Sequence, residues 1–226
     1  MKTIFLIRHG QPILPDQQRR FIGQTDLEIS ERGIKQAHAI GRILKKQKIE
    51  MIYSSDLKRS VATAEIIAKE QALTLHPLTA LREINLGAWE NTLFSDIARQ
   101  FPKAFEERGR DIGYFKPPGG ESFAELKIRA MKAFDMILST DASKIVIVGH
   151  AGINRVILCS LLKIPLANLF KITQDYGCIN HLYGTPTDLR IKTLNMPSYQ
   201  SKLWQACHQR CSLQMCPLFY NLLYSM

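Results

Sequence analysis

Ile4-Phe5-Leu6-Ile7-Arg8-His9-Gly10 is the stretch on which the reading of this chain turns. Four consecutive apolar residues, two of them β-branched and one aromatic, predict a short buried strand. The run delivers an arginine and a histidine to the strand's carboxyl end, followed by a glycine that lets backbone approach closely. In open α/β sheets that edge is where ligands bind. A guanidinium fork matches phosphate oxygens, and an imidazole can act as a nucleophile.

Two further runs repeat the arrangement. Lys144-Ile145-Val146-Ile147-Val148-Gly149 ends in His150, and Ile49-Glu50-Met51-Ile52-Tyr53 runs into Ser54-Ser55-Asp56-Leu57-Lys58-Arg59-Ser60. There Asp56 reads as an N-cap, which puts Arg59 in the first turn of a helix. If the strands are parallel neighbours, two imidazoles and two guanidiniums converge on one spot. Convergent positive groups beside imidazoles that can be neutral are what a phosphate ester requires.

The intervening segments read as helices and loops. Ser30 opens a helix through about Lys46, with Ile34, Ala37, Ile40, Gly41 and Leu44 at helical spacing. A second helix covers 57–70, a short strand 73–77, an irregular stretch 81–91 and a helix about 92–101. Ser122-Phe123-Ala124-Glu125 is a capping box that starts a helix through about Leu138. A helix from about Ile153 to Leu162 follows His150, and Ile179–Tyr183 with Leu189–Leu194 forms a closing pair. Strands alternating with helices predict a three-layer α/β/α sandwich around a mostly parallel central sheet.

Composition narrows the function classes. The 226 residues suit one large α/β domain, and 46% hydrophobic residues suffice for a core. The net charge of +10 is spread along the chain, with no nucleic-acid-binding motif beside it. No apolar run reaches the ~20 residues of a membrane span, and no cleavage site follows the apolar start. The odd set Cys159, Cys178, Cys207, Cys211 and Cys216 suggests reduced thiols and a cytoplasmic protein. Cys207, His208, Cys211 and Cys216 match no standard zinc spacing. From about Met196 periodicity fades, so residues 196–226 are expected to be a loosely docked or disordered extension of a domain over 1–195.

The ordered set of motifs resembles the histidine phosphatase superfamily, also called phosphoglycerate-mutase-like. The set is Arg8-His9-Gly10, Gly23 with Asp26, Ser54 to Ser60 with Thr63-Ala64, Glu83 with Gly87-Ala88-Trp89-Glu90, Pro118-Gly119-Gly120-Glu121-Ser122, and Val148-Gly149-His150. The resemblance covers about residues 3–194 and implies the site roles. His9 would carry the phosphoryl group, with Arg8, Arg59 and His150 binding its oxygens, His150 also counted as catalytic. Glu83 would protonate the leaving oxygen and then activate water, with Glu90 and Glu121 as competing acids. Ala151 stands where the family more often has glycine. Gln24, Thr25 and Ser55 are candidates to line the pocket, although their polarity equally suits an ordered loop. Trp89 reads as packing. No metal and no cofactor are expected, because arginines supply the positive charge.

The resemblance leaves mutase and phosphatase to be separated. The short span from Glu83 to His150, and Gln11-Pro12-Ile13-Leu14-Pro15 in place of the mutases' polar loop, favour a phosphatase. Pro117 to Ser122 and Gln174-Asp175-Tyr176-Gly177-Cys178-Ile179-Asn180 look similar to α-ribazole phosphatases of cobalamin biosynthesis. The expectation is therefore a phosphomonoesterase acting on a small phosphorylated metabolite, with α-ribazole 5'-phosphate first. Broad sugar-phosphate phosphatase and phosphoglycerate mutase are the alternatives, and a non-catalytic phospho-ligand-binding module is the alternative from another class. Neither nucleic acid nor membrane is expected as a partner, and a homodimer is the candidate assembly.

Overall fold

The computed structural model describes residues 1–16 and 18–198. In chain order its first elements are β1 (Lys2–Arg8), β2 (Arg20–Phe21), α1 (Glu31–Leu44), β3 (Met51–Ser54), α2 (Lys58–Gln71) and β4 (Leu75–Pro77). There follow β5 (Thr92–Leu93), α3 (Phe94–Gln100), α4 (Pro102–Arg110) and α5 (Phe123–Leu138). The chain then adds β6 (Lys144–Gly149), α6 (Ala151–Leu162), β7 (Ile179–Thr185) and β8 (Asp188–Met196). Short 3₁₀ turns occupy Thr79–Leu81, Gly87–Trp89 and Leu166–Lys171.

One six-stranded sheet runs in the order β4-β3-β6-β1-β7-β8. The first four strands are parallel; β7 is antiparallel to β1, and β8 to β7. Ile4 and Leu6 of β1 enter one apolar cluster together with Phe134 and Ile137 of α5 and Val156 and Ile157 of α6. Phe5 and Ile7 enter another, with Ile40 and Leu44 of α1 and Ala64 and Ile67 of α2. Helices thus cover both faces, and the α/β/α sandwich expected from the sequence is the fold. A strand buried on both faces has no solvent side to mark with polar residues, which is why β1 and β6 read as unbroken apolar runs.

Local chemistry sets the helix starts. The Ser30 hydroxyl accepts from Gly33 N at 3.2 Å to cap α1. At α5 the Ser122 hydroxyl accepts from Glu125 N, and the Glu125 carboxylate accepts from Ser122 N. Helix α2 departs from expectation: Leu57 is its N-cap residue, and Asp56 does not cap it. Asp56 instead holds Arg82 through two 2.7 Å bonds, a bidentate charge-assisted pair that outweighs one bond to a backbone N–H. The vacated role is split: Ser55 Oγ accepts from Leu57 N, and Asp26 accepts from Lys58 N.

Other boundaries also differ. The expected helix at 92–101 is β5 followed by α3, and α4 was not expected at all. Helix α4 opens with Pro102 in its first turn and sets only Ala104, Phe105 and Arg108 half-buried against the molecule, too few apolar positions to stand out as a core-facing stripe. Helix α6 starts two residues earlier than expected, with His150 itself as N-cap residue. Strand β8 runs to Met196, whose side chain packs on the second cluster. Most of the expected extension, residues 199–226 with Cys207, His208, Cys211 and Cys216, lies outside the described residues. Among the described residues no helix is long and apolar enough to cross a membrane.

Candidate active site

The parallel pairing of β1 with β6 aligns their carboxyl ends, Arg8 beside Gly149. His9 and His150 follow immediately, and their ring centroids lie 5.0 Å apart. Strand β3 ends on the other side of β6, and the turn after it starts α2 with Arg59 in the first turn. All four cationic candidates therefore meet at one sheet edge, where they line a cavity of about 440 Å³ or lie against it.

His9 is buried and held in one tautomer. Its Nδ1 lies 2.7 Å from Gly10 O, and a carbonyl only accepts, so Nδ1 carries the proton. Arg59 Nε donates to His9 Nε2 at 3.2 Å, which requires a lone pair there. Burial, then the positive charges of Arg59 and Arg8, hold the His9 pKa well below its usual value; the Gly10 bond opposes them. His150 is depressed in the same way, by burial first and then by Arg59, His9, Arg8 and Arg129. Both imidazoles are neutral at pH 7. The turn after β1 needs a glycine, since a Cβ on Gly10 would sit 2.6 Å from Gly33 O.

The two guanidiniums are braced differently. Arg59 is 1% exposed, and donates to Thr25 O at 2.6 Å and Gly23 O at 2.7 Å. Arg8 donates to Gln174 O and stacks with its Cζ 3.6 Å from the Tyr176 ring centroid. Gln174 is fixed in turn by Asn154 and Asn180. The segment Gln174 to Asn180, noticed in the sequence as a subfamily marker, thus supports Arg8.

Of the three acids, only Glu83 lines the cavity. Its oxygens accept from Ile84 N and Gly152 N, each at 2.9 Å, leaving a second lone pair on each. Glu90 is spent on the loop, accepting from Gln24 N, Thr25 N, Thr25 Oγ1 and Leu86 N. Glu121 is paired with Arg129 and accepts from Asn85 N.

Gln24, Thr25 and Ser55 do not line the cavity. The Gln24 amide donates to Glu83 O, the Thr25 hydroxyl goes to Glu90 and the Ser55 hydroxyl accepts from Leu57 N. These side chains hold loops together, the bland half of the sequence reading. Trp89 is packed between Phe21 and Phe115. Cavity residues that the sequence did not single out include Arg19, Arg108, Arg155, Phe94 and Phe170, and Tyr176 is marked in the sequence only as part of the subfamily segment. They come from loops, a 3₁₀ turn and the first turn or half-buried flank of helices, so no periodicity points to them.

The profile of the histidine phosphatase superfamily (branch 1) matches residues 4–197. This chain belongs to the histidine phosphatase superfamily. A Yersinia pestis protein named probable phosphoglycerate mutase is 34% identical over 166 residues, covering 73% of this chain and 77% of that one. A mycobacterial glucosyl-3-phosphoglycerate phosphatase, solved with inorganic phosphate, superposes with a TM-score of 0.78 at 27% identity over 89% of this chain and 100% of its own. The α-ribazole phosphatase of Shigella flexneri shares the fold, with a TM-score of 0.77 at 21% identity over 88% and 100% of the two chains. The superfamily thus holds both mutases and phosphatases similar to this chain.

Proposed function

We propose that this histidine phosphatase superfamily member is a phosphomonoesterase that hydrolyses a small phosphorylated metabolite through a phosphohistidine at His9. One observation carries the reading: Arg8 Nε and both ring nitrogens of His150 are buried without a hydrogen-bond partner, beside an unprotonated His9 Nε2. A buried unsatisfied polar group costs about 1–3 kcal/mol. Phosphoryl oxygens are acceptors of the right kind for the Arg8 donor and for the N–H of a neutral His150.

The chemistry follows from those positions. Nε2 of His9 attacks phosphorus; the N–P bond forms and the bond to the leaving oxygen breaks, while Glu83 gives that oxygen a proton. Water then attacks phosphorus, Glu83 takes its proton, and the N–P bond breaks to release inorganic phosphate. Arg8, Arg59 and His150 stabilise the charge on the transferring oxygens.

The substrate side of the cavity is walled by Phe21, Ile22, Ile84, Leu86, Phe115 and Phe123. Such a wall suits a leaving group with an apolar or ring portion, which supports α-ribazole 5'-phosphate as the first compound to assay and sugar phosphates as the second class. Phosphoglycerate mutation is the second reading, favoured by the 34% identical Yersinia pestis protein. The buried free thiols Cys159 and Cys178 support a reducing, cytoplasmic setting.

Phosphate release should be followed over a panel of phosphorylated metabolites, with 2- and 3-phosphoglycerate interconversion assayed beside it. Hydrolysis of at least one ester, abolished in His9→Ala, is the expected result. Interconversion without net phosphate release would make the protein a mutase. Release from no ester would leave a phospho-ligand-binding module.

A further inference from the structure

The cavity that holds the phosphoryl clamp is also lined by four arginines that the clamp does not use: Arg20, paired with Asp16, Arg155, which donates to Ile172 O, and Arg19 and Arg108. Arg108 of α4 and Arg19, just before β2, both line it. Phe21 and Phe94 stack at 3.8 Å with their planes 6° apart. The Arg19 Cζ lies 4.3 Å from the Phe94 ring centroid, and the Arg108 Cζ lies 5.2 Å from that of Phe21 and 5.7 Å from that of Phe94. Two like charges are thus gathered on one pair of rings.

Neither arginine has a carboxylate partner among the described residues, whereas neighbouring Arg20 is paired with Asp16 at 2.5 Å. The residues outside the described set, Gln17 and 199–226, contain no Asp or Glu. Burial and the charge of Arg19 push Arg108 down to about 10. Arg108 is half-buried, and a partly desolvated cation without an anion is costly; Arg19, exposed beside it, adds a second positive charge at the same rings. Guanidiniums seated on aromatic faces keep their N–H edges available for a bidentate acceptor.

We propose that Arg19 and Arg108 form a second anion-binding subsite, so that the preferred substrate carries a second anionic oxygen group, carboxylate or phosphate, besides the phosphoryl group destined for His9. The inference rests on the reading of the clamp as the phosphoryl site. It reorders the assay panel, placing phosphorylated acids and bisphosphates ahead of α-ribazole 5'-phosphate and singly phosphorylated sugars, whose apolar or ring portion the cavity wall alone would favour, and gives the cavity an orientation: one anion at the sheet edge, the other at the stacked rings.

Non-hydrolysable ligands test this without turnover. Calorimetry on the full chain would compare alkylphosphonates, ω-phosphonocarboxylates and α,ω-bisphosphonates of matched and increasing chain length. At one length, ligands with two anions should bind wild-type protein about 10- to 100-fold tighter than the alkylphosphonate, the range of charge-assisted hydrogen bonds. That ratio should fall toward one in Arg108→Met, fall part-way in Arg19→Met and be partly restored in Arg108→Lys. The carboxylate and phosphonate arms identify which anion is taken. A ratio near one at every length in wild type, or a ratio unchanged in Arg108→Met, would overturn the subsite. Failure of the clamp reading shows separately, as wild-type protein that binds no alkylphosphonate. The subsite is then read from glutarate, whose binding must weaken in Arg108→Met for it to stand.

Discussion

Arg59 donates its Nε–H to His9 Nε2 at 3.2 Å, so the proposed nucleophile is held neutral by a neighbour that also lines the cavity. The contact sets the lone pair's direction, and the guanidinium charge is the second largest cause, after burial, of the lowered His9 pKa. Replacing Arg59 by Met should therefore raise the His9 pKa toward its ordinary value, as read by NMR titration. The same change should cost on the order of 10²–10³-fold in kcat, the usual loss for a transition-state charge stabiliser. An activity loss with no change in the His9 titration would separate the two roles.

Acid should destabilise the fold earlier than carboxylate titration alone would. In the unfolded chain His9 and His150 protonate below about pH 6.5, whereas burial and arginine charge keep both neutral to much lower pH in the folded state. The unfolded state then binds more protons, so stability falls as pH drops below about 6.5, by up to about 1.4 kcal/mol per unit for each imidazole. His181, also depressed by burial, adds in the same direction. Asp16 and Asp56, held low by Arg20 and Arg82, contribute only at more acidic pH. Urea midpoints measured from pH 7.5 to 5 should decline, with a shallower slope in His9→Asn. A flat profile would contradict the buried neutral pair.

Gly152 should behave as part of the acid. Its N–H donates to Glu83 Oε2 at 2.9 Å, and a Cβ there would sit 2.2 Å from Glu83 Oε1. Gly152→Ala displaces the carboxylate, so it should mimic Glu83→Gln. Both should lose about 10²-fold or more on alkyl phosphates, whose leaving oxygen needs a proton, and much less on aryl phosphates. The double variant should be no worse than either single one. Equal losses on both substrate types would move the acid role elsewhere.

What could be read from the sequence was what neighbours in sequence determine. Continuous apolar runs in β1 and β6, the Ser30 cap and the Ser122–Glu125 box are short-range signals, and each lies where it was expected. His9, His150, Arg8 and Arg59 come together because adjacent parallel strands end level, which follows once the sheet is known. Asp56 was misjudged because its partner, Arg82, is 26 residues away and wins by charge. Glu90 stays a competitor to Glu83 in the sequence because the loop donors that occupy it, from Gln24, Thr25 and Leu86, converge only in the fold. Helix α4 has no fully buried residue and only two half-buried apolar ones, Ala104 and Phe105, and β2 and β5 are two residues each, so none carries a strong periodic signal. Tyr176, Arg19 and Arg108 reach the cavity by tertiary packing alone.

Trapping the phosphoenzyme tests the central claim most directly. Wild-type protein mixed with a substrate found in the panel, quenched within milliseconds and weighed intact, should show one phosphoryl adduct that is lost in acid and maps to His9. His9→Ala should fold, show no adduct and lose essentially all turnover. An adduct that persists in His9→Ala, or turnover by that variant at the wild-type rate, would contradict the account.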